Sequence, residues 1–185
     1  MRELSLHILD IAQNAIAARA SLVTIEIKAQ SEKDLLTITV KDDGCGMPEE
    51  LLKHVSDPFV TTRSERKVGL GIPLLQASAH RSEGVLTVRS EAGRGTELCA
   101  TFRLSHIDRP PLGDVSETMV TLVAANPTKP DFVLRFMADG KAFVFDTRQL
   151  KQALGEVPFN EPEVLAWMRD HLNEGIQDLH GGAQI

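Results

Sequence analysis

The spacing of apolar residues changes period several times along the first hundred positions. Apolar side chains recur at helical spacing over residues 4–18, at Leu4, Ile8, Ile11 and Ala15. Strict alternation then predicts two strands, one carrying Val23, Ile25 and Ile27 and the other carrying Leu36, Ile38 and Val40. A short helix is expected at 48–55, a longer one from Gly69–Gly71 through Ala79, and strands at 85–90 and 96–104.

The remaining residues follow an Arg109-Pro110-Pro111 stretch that has the composition of a linker. A helix is expected over 114–125 and a hairpin over 131–137 and 141–146, turning at Ala138-Asp139-Gly140. An isolated hairpin is marginal in water, so it needs a cover. The apolar stripe of a helix over 161–179 can supply one, with Val164, Leu165, Met168, Leu172 and Ile176.

We therefore divide the chain into a domain at 1–105, a linker at 106–114 and a small C-terminal α/β appendage at 115–185, built as helix, hairpin and helix. The hairpin carries four aromatic side chains, Phe132, Phe136, Phe143 and Phe145, and together with Leu134 they can exceed what one helix covers. Two interpretations stay open. Either the appendage presents a patch to a second subunit or partner protein, or it is closed and packed on its own domain.

Two polar side chains fall in the inward phase of predicted strands. Asp42 follows Ile38 and Val40, and Thr96 precedes Leu98, Ala100 and Phe102. An inward carboxylate is costly unless a donor reaches it, and an adenine amino group is one such donor. The alternative is that Asp42 begins a turn and accepts from backbone amides, as Asp often does.

Glycines mark two further places. Gly44 and Gly46 do not form a dinucleotide fingerprint, because Glu49 stands where a third glycine is needed, and no P-loop sequence is present. Gly69 and Gly71 precede a helix whose N-terminus suits phosphate groups, although such a pair is also common in ordinary turns. Lys67 and Arg63 can approach a phosphate or can be solvated surface charges.

The first helix carries His7, Asp10 and Asn14 on one stripe. The amide oxygen of Asn14 can bind Mg²⁺. Asp10, one turn earlier, can accept a proton from water or a hydroxyl. Polar residues on a helix are also often only solvent-facing. For His7 we favour a structural or solvent-facing position over phosphorylation.

Composition narrows the classes of partner. The chain has 185 residues and a net charge of −6, which disfavours a general nucleic-acid binder or anionic-membrane binder. Its two cysteines, Cys45 and Cys99, form no CxxC pair, so reduced thiols in a cytoplasmic protein are expected. The N-terminus lacks a secretory pattern, and no apolar run approaches the roughly 20 residues needed to span a bilayer.

Each motif alone is a weak indication of function, but the order in which the motifs follow one another indicates a family. A helix with DxxxN at Asp10 and Asn14 precedes DxGxG at Asp42, Gly44 and Gly46; a DPFVTT stretch at 57–62, GLG at 69–71 and GxGT at Gly93, Gly95 and Thr96 follow. Over residues 4–104 the chain resembles the GHKL family of gyrase, the ninety-kilodalton heat-shock chaperones, histidine kinases and mismatch-repair ATPases. The resemblance implies a Bergerat fold, a two-layer α+β sandwich with a mostly antiparallel sheet and helices on one face.

The resemblance also implies roles for individual residues. Asp42 would bind the adenine amino group with help from Thr96, Asn14 would ligate Mg²⁺, and Asp10 would be the catalytic carboxylate. The implied ATP-binding set comprises Asn14, Asp42, Gly44, Gly46, Met47, Phe59, Thr62, Lys67, Gly69, Leu70, Gly71 and Thr96. A short lid is implied at about 60–68.

One departure bears on activity. Hydrolytic members of the family carry Glu where this chain has Asp10, so slow hydrolysis is expected. The short lid resembles that of anti-sigma-factor serine kinases and nitrogen-sensor-type histidine kinases more than that of gyrase. The whole chain resembles stand-alone ATP-binding proteins found near iron-hydrogenase genes of anaerobic bacteria. The resemblance implies a cytoplasmic regulatory protein kinase or ATP-dependent switch that acts on a partner protein. The alternatives are a nucleotide-sensing module without turnover and a slow ATPase that works as a homodimer.

Overall fold

The computed structural model describes residues 3–55, 70–155 and 157–180. The helices are α1 (Leu4–Ala17), α2 (Glu49–Leu52), α3 (Gly71–Arg81), α4 (Val115–Ala125), α5 (Thr147–Leu154) and α6 (Pro162–His180). The strands are β1 (Leu22–Gln30), β2 (Leu35–Asp42), β3 (Leu86–Glu91), β4 (Gly95–Arg103), β5 (Asp131–Ala138) and β6 (Lys141–Asp146). A 3-10 turn at Ser31–Lys33 joins β1 to β2.

All six strands form one sheet in the order β3-β4-β2-β1-β5-β6. Four of the five pairings are antiparallel, and the pairing of β1 with β5 is parallel. Burial alternates strictly along β1, where every second residue from Val23 to Ala29 is buried. One face of the sheet therefore carries the core, as the period-two pattern of the sequence predicted.

The helices cover that face. α1, α3 and α6 contact the strands, and α4 lies between α1 and α6. The largest fully buried side chains come from both halves of the chain: Phe102, Phe132, Phe136, Leu4, Ile25, Ile27, Leu36, Ile38, Leu98, Met119, Leu122 and Leu134. The predicted two-layer α+β sandwich with a mostly antiparallel sheet is confirmed.

The C-terminal hairpin extends this sheet. β5 pairs with β1 over eight residues, from Leu22 opposite Asp131 to Ala29 opposite Ala138. The turn was expected at Ala138-Asp139-Gly140, and the structure confines it to Asp139-Gly140, since Ala138 is the last residue of β5. Both turn residues have positive φ, as is usual in a tight hairpin. α6 packs over β5 and β6, with Val164, Met168 and Leu172 buried. The helices and strands after residue 114 thus share one hydrophobic core with those before residue 105. The domain boundaries at 105 and 114 stay a prediction from the sequence.

The predicted elements differ from the structure in two places. The short helix expected at 48–55 has only four helical residues, Glu49–Leu52. α5 was not predicted; it begins after Asp146, whose carboxylate accepts a hydrogen bond from the Arg148 amide at 2.9 Å. The sequence of α5 is mostly polar, so the spacing of apolar residues does not indicate a helix there. Within the described residues, none of the helices combines the length and apolarity required for crossing a bilayer.

Candidate functional site

Three polar side chains form a row across neighbouring strands at one end of the sheet. Asp42 on β2 lies opposite Thr96 on β4, and Thr96 lies opposite Ser90 on β3. Residues directly opposite in a sheet share a face, and this row continues the face that buries Val40 and Leu98. The row is only half-buried, so it offers polar atoms to a ligand at the edge of the core.

The Asp42 carboxylate is an acceptor set in a partly desolvated position. Its Oδ1 accepts a hydrogen bond from the Gly44 amide at 2.8 Å. Burial raises the pKa of the Asp42 carboxyl above its ordinary value, and the backbone N–H groups of Gly44 and Thr96 oppose that rise. Asp42 therefore accepts a hydrogen bond from its own turn, as in the second interpretation, and it keeps a carboxylate at the end of the sheet. Its contact with adenine stays a prediction.

Ser90 joins the row to the loop after β2. The Met47 amide donates to Ser90 Oγ at 2.8 Å, and that oxygen lies 3.0 Å from the Gly95 carbonyl oxygen and 2.9 Å from Thr96 Oγ1. The sequence reasoning did not find Ser90. The sequence could have indicated it through the pairing of the predicted strands. If 85–90 and 96–104 form a hairpin with its turn at 91–95, Ser90 lies beside Thr96.

Glycines let the loop after β2 lie directly on the hairpin of β3 and β4. The Gly93 amide donates to the Cys45 carbonyl at 2.8 Å. Gly46 and Gly95 have φ of +62° and +95°, and a Cβ on either would overlap a carbonyl oxygen, that of Glu91 or that of Asp42. Larger residues at these two positions would separate the loop from the row.

The same loop also contacts α1. The Cys45 amide donates to the Ala18 carbonyl at 2.9 Å, just past the C-terminus of the helix. A Cβ on Gly44 would lie 2.7 Å from that carbonyl oxygen. The close approach places the last turn of α1, which carries Asn14, next to the loop.

Asp43 fixes the other side of this loop and was also missed from the sequence. Its Oδ1 accepts from the amides of Ser21 at 2.7 Å and Leu22 at 2.9 Å, and its Oδ2 accepts from the Ser21 hydroxyl. Partial burial raises the pKa of the Asp43 carboxyl, but these hydrogen bonds outweigh it and hold the pKa below its ordinary value. Asp43 therefore anchors the start of β1 and leaves Asp42 as the carboxylate of the row.

Asp10 and Asn14 lie one turn apart on α1, and both are half-buried. The Asp10 carboxylate lies against the start of α3, where a Cβ on Gly71 would overlap it. α1 thus passes both the loop after β2 and the N-terminus of α3. The structure brings Asp10 together with Gly71, and Asn14 stands between that contact and the loop.

His7, on the same stripe of α1, is buried with only 2% of its surface exposed. Neither ring nitrogen has a hydrogen-bond partner among the described residues. Burial is the main cause that lowers the pKa of His7 from 6.5 to about 4; the Arg81 charge lowers it further, and the Asp10 carboxylate opposes the change. The buried ring agrees with the structural position expected for His7.

The other predicted site residues divide into two groups. Leu70 is 50% exposed immediately before α3, and Met47 contributes its amide to Ser90. Phe59, Thr62, Lys67, Gly69, Arg63 and the expected lid at 60–68 lie outside the described residues.

Few carboxylate and amide oxygens are available to a Mg²⁺ ion among the described residues. The part of the chain that the structure describes holds no group of three or more His, Cys, Asp or Glu side chains suited to a metal ion. Mg²⁺ in nucleotide sites usually takes only one or two protein ligands and several phosphate and water oxygens. The carboxylate and amide oxygens of Asp10 and Asn14 fit that smaller requirement.

Comparisons with known proteins show what the chain is similar to. Residues 2–106 match the family model described as histidine kinase-, DNA gyrase B-, and HSP90-like ATPase. Sporulation kinase C of Bacillus subtilis is 35% identical over 88 residues, which are 48% of this chain and 20% of that protein. Sensor protein kinase FleS of Pseudomonas aeruginosa is 34% identical over 111 residues, 60% of this chain and 27% of that protein.

The chain thus spans a quarter or so of these relatives' length at most. A solved structure of the N-terminal domain of a DNA repair protein is similar with a TM-score of 0.55 at 12% identity, covering 78% of this chain and 52% of that one. This likeness concerns the fold.

Proposed function

Because this chain belongs to the family of histidine kinase-, DNA gyrase B- and HSP90-like ATPases, we propose that it is a MgATP-binding regulator that acts on a partner protein. The family match and the kinase relatives support ATP binding in a signalling role. The observation that carries the proposal is the Asp42–Thr96 pair at the end of the sheet. In this proposal, the acceptor atoms of the pair receive the amino group of adenine.

The remaining parts of a nucleotide site lie around this pair. The N-terminus of α3 at Gly71 offers the backbone N–H groups of its first turn and the positive end of the helix dipole to phosphate oxygens. Asn14 and Asp10 supply oxygen atoms near that end, and we assign Asn14 as the Mg²⁺ ligand. When bound, Mg²⁺ would neutralise charge on the phosphates. The assignments of Phe59, Thr62, Lys67 and Gly69 rest on the sequence alone.

Asp10 is our candidate for the proton acceptor. In transfer to a partner, a side-chain oxygen or nitrogen of the partner would form a bond to the γ-phosphorus, the bond to the leaving ADP would break, and the proton would pass to the Asp10 carboxylate. A water molecule in the same place would give hydrolysis. The contact between Asp10 and Gly71 supports the assignment, since it holds the carboxylate at the N-terminus of α3, where this proposal puts the phosphates.

Binding can be tested with Asp42→Asn. Oδ1 of the new amide would keep the bond from the Gly44 N–H, which turns the NH₂ group toward adenine, so that two donors meet. Losing a charge-assisted hydrogen bond costs roughly 1.5–3 kcal/mol, or about a tenfold to hundredfold loss of ATP affinity. Affinity for GTP should fall less, because its 6-oxo group accepts a hydrogen bond.

The matched control is Glu97→Gln, which makes the same chemical change on the other face of β4. Glu97 lies beside Lys41 and Arg89, away from the row. Calorimetry should show ATP affinity unchanged in this variant. Equal affinities in Asp42→Asn and the wild type would refute the adenine assignment.

The action on a partner needs a separate experiment. The protein is incubated with γ-labelled ATP, with and without candidate partner proteins. Label on a partner supports the proposed transfer. Release of labelled phosphate without transfer identifies an ATPase, and binding without either product identifies a nucleotide-sensing module.

A further inference from the structure

The three hydrogen bonds around Ser90 can be satisfied together in only one way. A serine hydroxyl has one hydrogen and two acceptor lone pairs. One lone pair of Ser90 receives the Met47 amide, and the Gly95 carbonyl and the Thr96 hydroxyl are both within 3.0 Å. If Ser90 donates to Gly95, Thr96 donates to Ser90 and all three bonds form. If Ser90 instead donates to Thr96, the Gly95 carbonyl loses this donor and the Thr96 hydrogen has to find another acceptor.

The first arrangement uses every group. It supplies a donor to the carbonyl of Gly95, a buried residue, and buried polar groups are nearly always paired. This arrangement also decides whether the Thr96 hydroxyl donates a hydrogen bond to a ligand or accepts one from it. With its hydrogen committed to Ser90, the Thr96 hydroxyl can only accept from the ligand side. Asp42, opposite Thr96, likewise presents an acceptor. The end of the sheet then shows two acceptors side by side.

From this geometry we infer that Ser90 selects the base of the nucleotide: it holds the Thr96 hydroxyl as an acceptor and so makes the site specific for a 6-amino purine. The inference rests on the proposed ATP site and adds a determinant of its specificity. Ser90 is a positioning residue, because it acts through Thr96 and does not contact the base in this arrangement. A 6-oxo purine would place its own acceptor against two acceptors and would be rejected.

The test compares ATP with ITP, which differ at position 6 and the adjoining N1 proton. In Ser90→Ala, Thr96 loses its fixed acceptor, so its hydroxyl can rotate and donate to the 6-oxo group. The preference for ATP over ITP, measured by calorimetry, should fall by about tenfold, the effect of one hydrogen bond. Ser90→Thr retains the hydroxyl and should restore the preference.

Two controls distinguish a role of Ser90 in base selection from a purely structural role. Ser82→Ala removes another structural hydroxyl, whose donor bond goes to the Ser78 carbonyl in α3, and should leave the ATP-to-ITP ratio unchanged. In a Thr96→Val background the Ser90→Ala change should no longer affect the ratio, because the hydroxyl through which Ser90 acts is gone. Both controls compare the ratio of ATP affinity to ITP affinity. A general loss of stability would lower both affinities and leave this ratio unchanged.

The outcomes are distinct. A wild type that prefers ATP, with the same preference in Ser90→Ala, would overturn the role of Ser90 and leave the proposed function standing. An equal effect of Ser90→Ala with and without the Thr96 hydroxyl would also overturn it. A wild type that binds ATP and ITP equally, or binds neither, would overturn the adenine assignment and this inference together.

Discussion

Acidification should destabilise this protein through His7. The imidazole is buried without a hydrogen-bond partner among the described residues, and its pKa falls from 6.5 to about 4. Between these two values the unfolded chain takes up a proton that the folded protein does not, so the free energy of unfolding decreases as pH falls. The contribution is fully present above pH 6.5 and is lost by about pH 4.

The size of the effect follows from the shift. A difference of roughly 2.5 pKa units at 1.36 kcal/mol per unit gives about 3 kcal/mol for this one group. That is a large fraction of the total stability of a typical domain, about 5–15 kcal/mol. Arg81 and Asp10 are the charged side chains that act on His7, and their opposing effects are already included.

The measurement is urea unfolding of the wild type and His7→Leu at several pH values from 7.5 to 4. Leucine fills the buried site and cannot be protonated, and removing an unpaired buried polar group should leave stability at pH 7.5 equal or higher. The difference between the two proteins should grow by about 3 kcal/mol as pH falls. His80→Leu, which removes an exposed histidine, controls for the loss of one titratable side chain. Parallel pH curves for the wild type and His7→Leu would refute the reasoning.

Two further substitutions test the packing that positions the site. Gly71→Ala should displace the Asp10 carboxylate and reduce any ATP turnover to the level of Asp10→Ala, with the fold retained because Ala suits a helix; turnover equal to the wild type would show that the contact is dispensable. Phe136→Ala empties a fully buried position on β5 and should cost about 3–5 kcal/mol in a single unfolding transition, whereas Val144→Ala at a 54% exposed position should cost little. Two separate transitions in Phe136→Ala would contradict a core shared by both halves.

The sequence by itself determined the local elements and the direction of most side chains. Because strand side chains alternate strictly, Asp42 and Thr96 could be placed on the inner face from their neighbours alone. The turn at Asp139-Gly140 was equally local, since it depends on two positive φ angles. The order of motifs also identified the family, although the roles of the individual residues remain proposals.

Tertiary structure decided what depends on distant segments. No local pattern indicates that β5 pairs with β1 in parallel, because that pairing joins residues about a hundred positions apart. The alternation that predicts the hairpin of β5 and β6 would be the same with or without this pairing.

The same holds for individual side chains around the site. His7 shares the stripe of Asp10 and Asn14 by helical period, but only packing in the folded protein buries it. Ser90 and Asp43 look like ordinary strand and turn residues until the folded chain places Thr96 and Ser21 beside them. Periodicity fixes which way a side chain points, whereas its partners depend on which other segments the fold brings within a few ångströms.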